Sequence, residues 1–157
     1  MAVTLEAGDR APAFALRDQD GRLHRLSDYK GRIVVLYFYP RDETPGCTAE
    51  ACSFRDHFEE IAEADAVVLG VSTDTAESHQ KFRAKHDLPF PLLVDEGAKV
   101  ATVYGAWGEK TLYGRKSIGM IRSTFVIGAD GRLAKVWKRA RAAEHGVAVL
   151  EALRKSG

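Results

Sequence analysis

Cysteine is scarce in this chain: its 157 residues include two, Cys47 and Cys52, and no C-x-x-C pair. That excludes the C-x-x-C redox motif and removes the paired thiols on which structural zinc sites are usually built. Charge of one sign is also lacking. With 23 Lys and Arg against 22 Asp and Glu the formal net charge is +1, which gives no footing to nucleic acid or an anionic membrane as the main partner. No hydrophobic run is long. The strongest, IVVLYFY at residues 33–39, falls far short of the roughly 20 apolar residues of a bilayer-spanning helix. There is no internal repeat, low-complexity segment or linker. The opening MAVTLEAGDR has no charged stretch followed by an apolar one, so no signal peptide is expected and a cytoplasmic protein is. In a reducing compartment a permanent structural disulfide is not expected. The cysteines are then inert, metal-bound or redox-active.

What is present suits one domain, residues 1–157, with 45% apolar and 29% charged residues and enough length for a core. AFALRDQDGRLHRL reads as two short strands around a turn at Asp20-Gly21. RIVVLYFY is apolar throughout, the pattern of a strand buried on both faces. From Pro45 to about Ala64 the pattern turns helical, with Phe54, Phe58 and Ile61 at helical spacing. AVVLGVS is a second buried strand, and DTAESHQKFRAKHD opens with cap-type residues and reads as a polar surface helix. FPLLVD follows as a short strand and GAKVATVYG as a short helix. MIRSTFVI and LAKVWK form a hairpin around Asp130-Gly131, and AAEHGVAVLEALRK closes the chain as a helix. This order predicts an α/β domain: a central mixed β-sheet flanked by helices in a thioredoxin-like arrangement, with an added N-terminal β-hairpin.

Cys47 follows the first buried strand and opens a helix. Thr44 suits the N-cap and Pro45 the first helical position, so Cys47 falls third. A thiolate there meets unpaired backbone N–H groups at the positive end of the helix dipole, and both favour the anion. The competing reading is a small buried hydrophobe, which free cysteines commonly are. The setting of Pro40, Thr44, Pro45 and Gly46 weighs toward reactivity. Cys52 is either a thiol able to condense with a sulfenic acid at Cys47 or an apolar residue beside Phe54 and Phe58. A metal site would recruit Cys47, Cys52 and His57, with His79 or His86. Five-residue steps turn successive side chains to different helix faces, which argues against it. His24, His79 and His145 lie among polar neighbours and are expected to be solvated. No local signature supports His57 or His145 as a base for Cys47.

PRDETPGC, with Pro40, Thr44 and Cys47 in place, resembles the P-x-x-x-T-x-x-C signature of peroxiredoxins. CTAEAC, with its second cysteine five residues on, resembles the peroxiredoxin Q group, also called bacterioferritin comigratory proteins. GDRAPAFALRDQDG, VVLGVSTD, LPFPLLVD and GMIRSTFVI resemble further blocks of the family in order, so the likeness spans nearly the whole chain. One departure is FVIGADG, where the family usually has an aspartate directly after FVI.

The resemblance implies a thiol-dependent peroxidase acting on hydrogen peroxide and organic hydroperoxides. Cys47 matches the peroxidatic cysteine and Cys52 the resolving one, which closes an intrachain disulfide. Thr44 matches the residue whose hydroxyl contacts thiolate and peroxide, and Pro40 the proline that shields the thiolate from water. Arg122 matches the arginine that stabilises the thiolate and the developing charge. It is read here inside an apolar strand, where it needs a partner. Glu50 matches the acid that helps hold it. Thioredoxin or a glutaredoxin-like dithiol is the implied reductant; no metal, flavin or haem is implied. A monomer is expected, because the resolving thiol is in the same chain. Two rivals stand beside this: a peroxide-sensing redox switch using the same disulfide, and a non-catalytic thioredoxin-fold module with two buried cysteines. In an intact helix, Cα atoms five residues apart are separated by about 8.6 Å, beyond the roughly 4.4–6.8 Å of a disulfide. Joining the two cysteines therefore requires the helix to unwind.

Overall fold

The computed structural model describes residues 4–112 and 114–156; both ends of the expected 1–157 span lie outside the described residues. In chain order the elements are β1 (Ala15–Asp18), β2 (Leu23–Arg25), β3 (Ile33–Phe38), α1 (Pro45–Asp56), α2 (Phe58–Glu63), β4 (Ala66–Ser72), α3 (Ala76–Lys85), β5 (Leu92–Val94), α4 (Lys99–Val103), β6 (Trp107–Leu112), β7 (Arg115–Met120), β8 (Ser123–Ile127), β9 (Leu133–Trp137) and α5 (His145–Ser156). Seven strands form one mixed sheet in the order β2-β1-β5-β4-β3-β8-β9. β3 pairs parallel with β4 and antiparallel with β8. The expected N-terminal hairpin is β1–β2, and it joins the sheet through β5.

β3 shows why an unbroken apolar run was needed. Successive side chains of a strand point to opposite faces, and here both faces are covered. Val35, Tyr37 and Tyr39 pack into a layer with Phe54 and Ala51 of α1, Ile61 of α2 and Leu150 of α5. Val34, Leu36 and Phe38 enter the opposite layer with Phe14, Phe125 and, from the α4 region, Ala101 and Tyr104. Each fully buried large side chain contributes on the order of 1.5–3 kcal/mol. The loop that leads into α1 therefore leaves a strand packed on both faces.

Three features differ from the sequence expectation. The helix expected over residues 45–64 breaks at His57 (φ −113°, ψ 14°) into α1 and α2. The His57 ring Nδ1 donates to the Ser53 carbonyl at 3.0 Å, and its backbone N–H turns to Arg55 instead. The ring has taken the acceptor that the helix would have used. Second, β6 and β7 form a two-stranded ribbon apart from the main sheet. Third, Arg122 lies in the link between β7 and β8 rather than within a strand.

α5 is seated closely on α1. A Cβ on Gly146 would stand 2.4 Å from the Ser53 carbonyl oxygen, and the Gly146 N–H donates to Ser53 Oγ at 2.8 Å. Gly146→Ala is expected to lower stability by about 1–3 kcal/mol through this overpacking. The measurement is the denaturant midpoint at unchanged m-value; an unaltered midpoint would show that α5 can slide off α1 freely.

Candidate active site

β3 delivers the chain to a short loop, and the loop delivers it to α1. Thr44 is the N-cap residue with extended backbone (φ −81°, ψ 150°) and Pro45 opens the helix, as expected. The cap itself is different. The Thr44 hydroxyl makes no capping bond and donates instead to the Arg41 carbonyl at 2.9 Å. The first helical bond runs from Thr48 N–H to the Thr44 carbonyl at 2.8 Å. The amides of Gly46 and Cys47 therefore precede the ladder and face the mouth of the helix.

Cys47 is buried, at 1% exposure. Among the described residues the hydrogen-bond partner of its sulfur is Arg122, whose Nη2 donates to Sγ at 3.3 Å. The same guanidinium donates through Nη1 to Glu50 Oε1 at 2.8 Å. Glu50 comes from α1, one turn beyond Cys47, so one planar cation is shared by two groups on one helix face. Gly46 makes the approach possible: a Cβ there would lie 3.0 Å from Arg122 Nη2. Sequence reading counted Gly46 only within the setting that weighs toward reactivity; a glycine directly before a cysteine in a helix's first turn is also a signal of close approach.

The carboxyl of Glu50 is fully buried, and its Oε2 has no hydrogen-bond partner among the described residues. Burial pushes its pKa up from 4.5 to about 8, against the opposing pull of Arg122. At neutral pH the favoured form is the acid. Burial also works against the charge of Arg122, yet Glu50, Cys47 and the hydrogen bonds more than offset it and raise its pKa. The guanidinium keeps its proton.

This arrangement makes opening of α1 depend on pH. Helical Glu50 holds its proton up to about pH 8, whereas a solvated glutamate releases it near 4.5. Its contribution to the helical state is complete below the lower value and is lost as pH rises through the higher one. In the reduced protein, amide exchange across residues 47–52 is expected to show opening that grows over this window, after correction for intrinsic chemistry. Glu50→Gln is expected to flatten that growth; an unchanged slope would sink the idea.

Cys52 lies in the second half of α1, half-buried, and both thiols are free. The helix is continuous between the two cysteines. Pro40 is half-buried and lines a cleft of about 290 Å³ with Met120, Ile121, Arg122, Arg139 and Ala140. Arg122 thus lies in the wall of an open cleft.

The three histidines expected to be solvated are buried. His24 is held by Tyr29 Oη and Asp18 Oδ2 at 2.5 and 2.7 Å. His79, at 0% exposure, bonds Asp42 Oδ2 at 2.7 Å and the Leu93 carbonyl at 2.9 Å. His145 bonds Thr124 Oγ1 at 2.8 Å, and burial first, then the Arg122 charge, brings its pKa down to about 4. For His79 and His145 the polar neighbours in sequence misled because the partners lie elsewhere in the chain; for His24 the partners are near in sequence but close around it in a buried site. His57 and His86 turn to Ser53 and Glu43, so the five-residue metal set is not drawn together.

The protein-family model described as AhpC/TSA family matches residues 7–136. Peroxiredoxin Bcp of Bacillus subtilis is 48% identical over 152 residues, covering 97% of each chain. Peroxiredoxin Bcp of Escherichia coli K12 is 43% identical over 150 residues, covering 96% of each. The solved structure of a Xylella fastidiosa PrxQ cysteine-to-serine mutant is similar with a TM-score of 0.91 at 34% identity, over 98% of both chains. The chain thus belongs to the AhpC/TSA family and, within it, to the peroxiredoxins of the Bcp and peroxiredoxin Q group.

Proposed function

We propose that Cys47 is the thiol that attacks peroxide in this thiol-dependent peroxidase, and that Cys52 resolves the product within the same chain. The observation that carries the reading is the Arg122 fork, which places one guanidinium on Cys47 Sγ at 3.3 Å and on Glu50 at 2.8 Å. An always-charged group in that position favours the anionic sulfur and the charge that develops on the peroxide. The Cys47 thiolate attacks one peroxide oxygen; the S–O bond forms as the O–O bond breaks. The other oxygen leaves with a proton as water or alcohol, and Cys47 is left as a sulfenic acid. Pro40 walls the entry cleft, and Thr44 offers its hydroxyl oxygen beside the helix mouth. The Cys52 thiol then displaces the sulfenic oxygen as water and an S–S bond forms. Thioredoxin, or a glutaredoxin-like dithiol, returns both thiols by disulfide exchange.

A continuous α1 with both thiols free suits the attacking form, and resolution then requires residues between the cysteines to unwind. The chain works as one domain, a monomer, in the cytoplasm; among the described residues no helix is long and apolar enough to cross a membrane. The test is a free-thiol titration before and after one equivalent of hydrogen peroxide. Two thiols are expected to become none, in an intrachain link found by peptide mapping. Two surviving thiols, or an interchain link, would overturn the reading.

A further inference from the structure

The loop between β3 and α1 is gripped from behind by α3. Asp42, almost fully buried at 5% exposure, accepts from Tyr39 Oη at 2.6 Å and Ser78 Oγ at 2.8 Å and is hydrogen-bonded to the His79 ring at 2.7 Å. Its backbone N–H donates to Asp74 Oδ2 at 2.8 Å, and Asp74 accepts in turn from Ser72 Oγ at 2.7 Å. The far ring nitrogen of His79 faces the Leu93 carbonyl, which can only accept. That nitrogen therefore carries a hydrogen, and a second proton lies between Nδ1 and Asp42, whichever atom holds it. The pair is neutral as a whole and satisfied on every side, the condition under which buried polar groups rigidify their surroundings. The next residue, Glu43, adopts a left-handed φ of 67° and reaches Lys85 Nζ at 2.9 Å, near the other end of α3.

Resting on the assignment of Cys47 as the attacking thiol, we propose that Asp42 and His79 are positioning residues that clamp the loop at residues 40–44 to α3. The clamp keeps Pro40 and Thr44 in place for peroxide attack and fixes the stationary end of the segment that unwinds. Three observations point the same way. Asp42 stands midway between Pro40 and Thr44. Thr44 does not use its side chain to cap α1, so the loop rather than the helix sets its place. And Asp42 is bonded to Tyr39 just beyond β3, to Asp74 two residues beyond β4 and to Ser78 of α3, none of which has to move when α1 opens. Unwinding is then confined to residues after Pro45, and Cys52 is the cysteine that travels.

The experiment pairs rapid-mixing kinetics with amide exchange on the full chain. Cys47 oxidation and disulfide formation are timed separately in wild type, His79→Phe, His79→Gln and Ser78→Ala. In oxidised wild type, residues 46–52 are expected to lose protection while the Asp42 amide keeps it. His79→Phe is expected to slow peroxide attack about tenfold or more through misplacement of the loop, with disulfide formation within about twofold of wild type. The Asp42 amide is then expected to lose protection on oxidation. His79→Gln, which restores one donor, recovers part of the loss. Ser78→Ala gives a smaller loss of the same kind and keeps the test open if His79→Phe does not fold. Loss of Asp42 protection in oxidised wild type, or attack at the wild-type rate in all variants, overturns the clamp alone. A wild-type Cys47 that does not oxidise overturns the site assignment and the clamp with it.

Discussion

Cys47→Ser is expected to abolish peroxide reduction, whereas Cys52→Ser is expected to keep the first attack and stop after one equivalent. The asymmetry follows from where the two thiols stand on one helix. Cys47 meets the unladdered amides at the helix mouth and the Arg122 guanidinium at 3.3 Å. Cys52, farther along α1, has neither. A serine hydroxyl does not ionise under these conditions, so the fork has no anion to hold and the O–O bond no nucleophile. With Cys52 removed, the sulfenic acid forms but finds no thiol in its own chain, and turnover with a dithiol reductant fails. Rapid-mixing measurement of peroxide consumption in each variant separates the two. First attack lost in Cys52→Ser and retained in Cys47→Ser would reverse the roles.

Arg122→Met is expected to slow peroxide attack by about 100- to 1,000-fold, the usual effect of deleting a donor aimed at developing charge. Methionine fills much of the same volume but leaves Cys47 Sγ without its donor and Glu50 Oε1 without its partner. Arg122→Lys keeps the charge and loses the fork, so it should fall between the two. The second-order rate constant for peroxide loss, taken with a thermal melt to confirm folding, is the measurement. An unaltered rate in folded Arg122→Met would remove Arg122 from the active site.

Much of this was legible because the relevant physics is local. β3 announces itself through an unbroken apolar run, since a central strand must satisfy two faces at once. The start of α1 was readable from Thr44 and Pro45, because cap position and a fixed φ are properties of neighbouring residues. What local residues do not reveal is which group a side chain finds across the fold. The Thr44 hydroxyl bonds Arg41 rather than the helix. His79 reaches Asp42, 37 positions away, and was misjudged for that reason. The ribbon β6–β7 was missed for a different one. Its residues mix Glu, Lys and Arg with an exposed Ile118 at 74%, so no face is consistently apolar and no period of two emerges. The resemblance at Pro40, Thr44, Cys47 and Arg122 named residues that the structure does bring to one end of the sheet. It gave no role to Gly46, whose part is to leave room for Arg122.

Arg122 belongs to the sheet side of the molecule, while both groups it holds, Cys47 and Glu50, belong to α1. Glu50 also lies between the two cysteines. On the proposed unwinding of this segment the guanidinium loses both partners in one event, although its side chain is only 19% exposed. Losing two hydrogen bonds made by a charged donor costs on the order of 3 kcal/mol in all, and the disulfide has to carry that cost for as long as it exists. For a two-electron couple this corresponds to a reduction potential raised by about 60 mV relative to an unstrained link. Under the proposed mechanism, the fork that prepares Cys47 for peroxide would also make the oxidised protein the better oxidant of a dithiol reductant, with reduction drawn forward by the refolding of α1 onto Arg122.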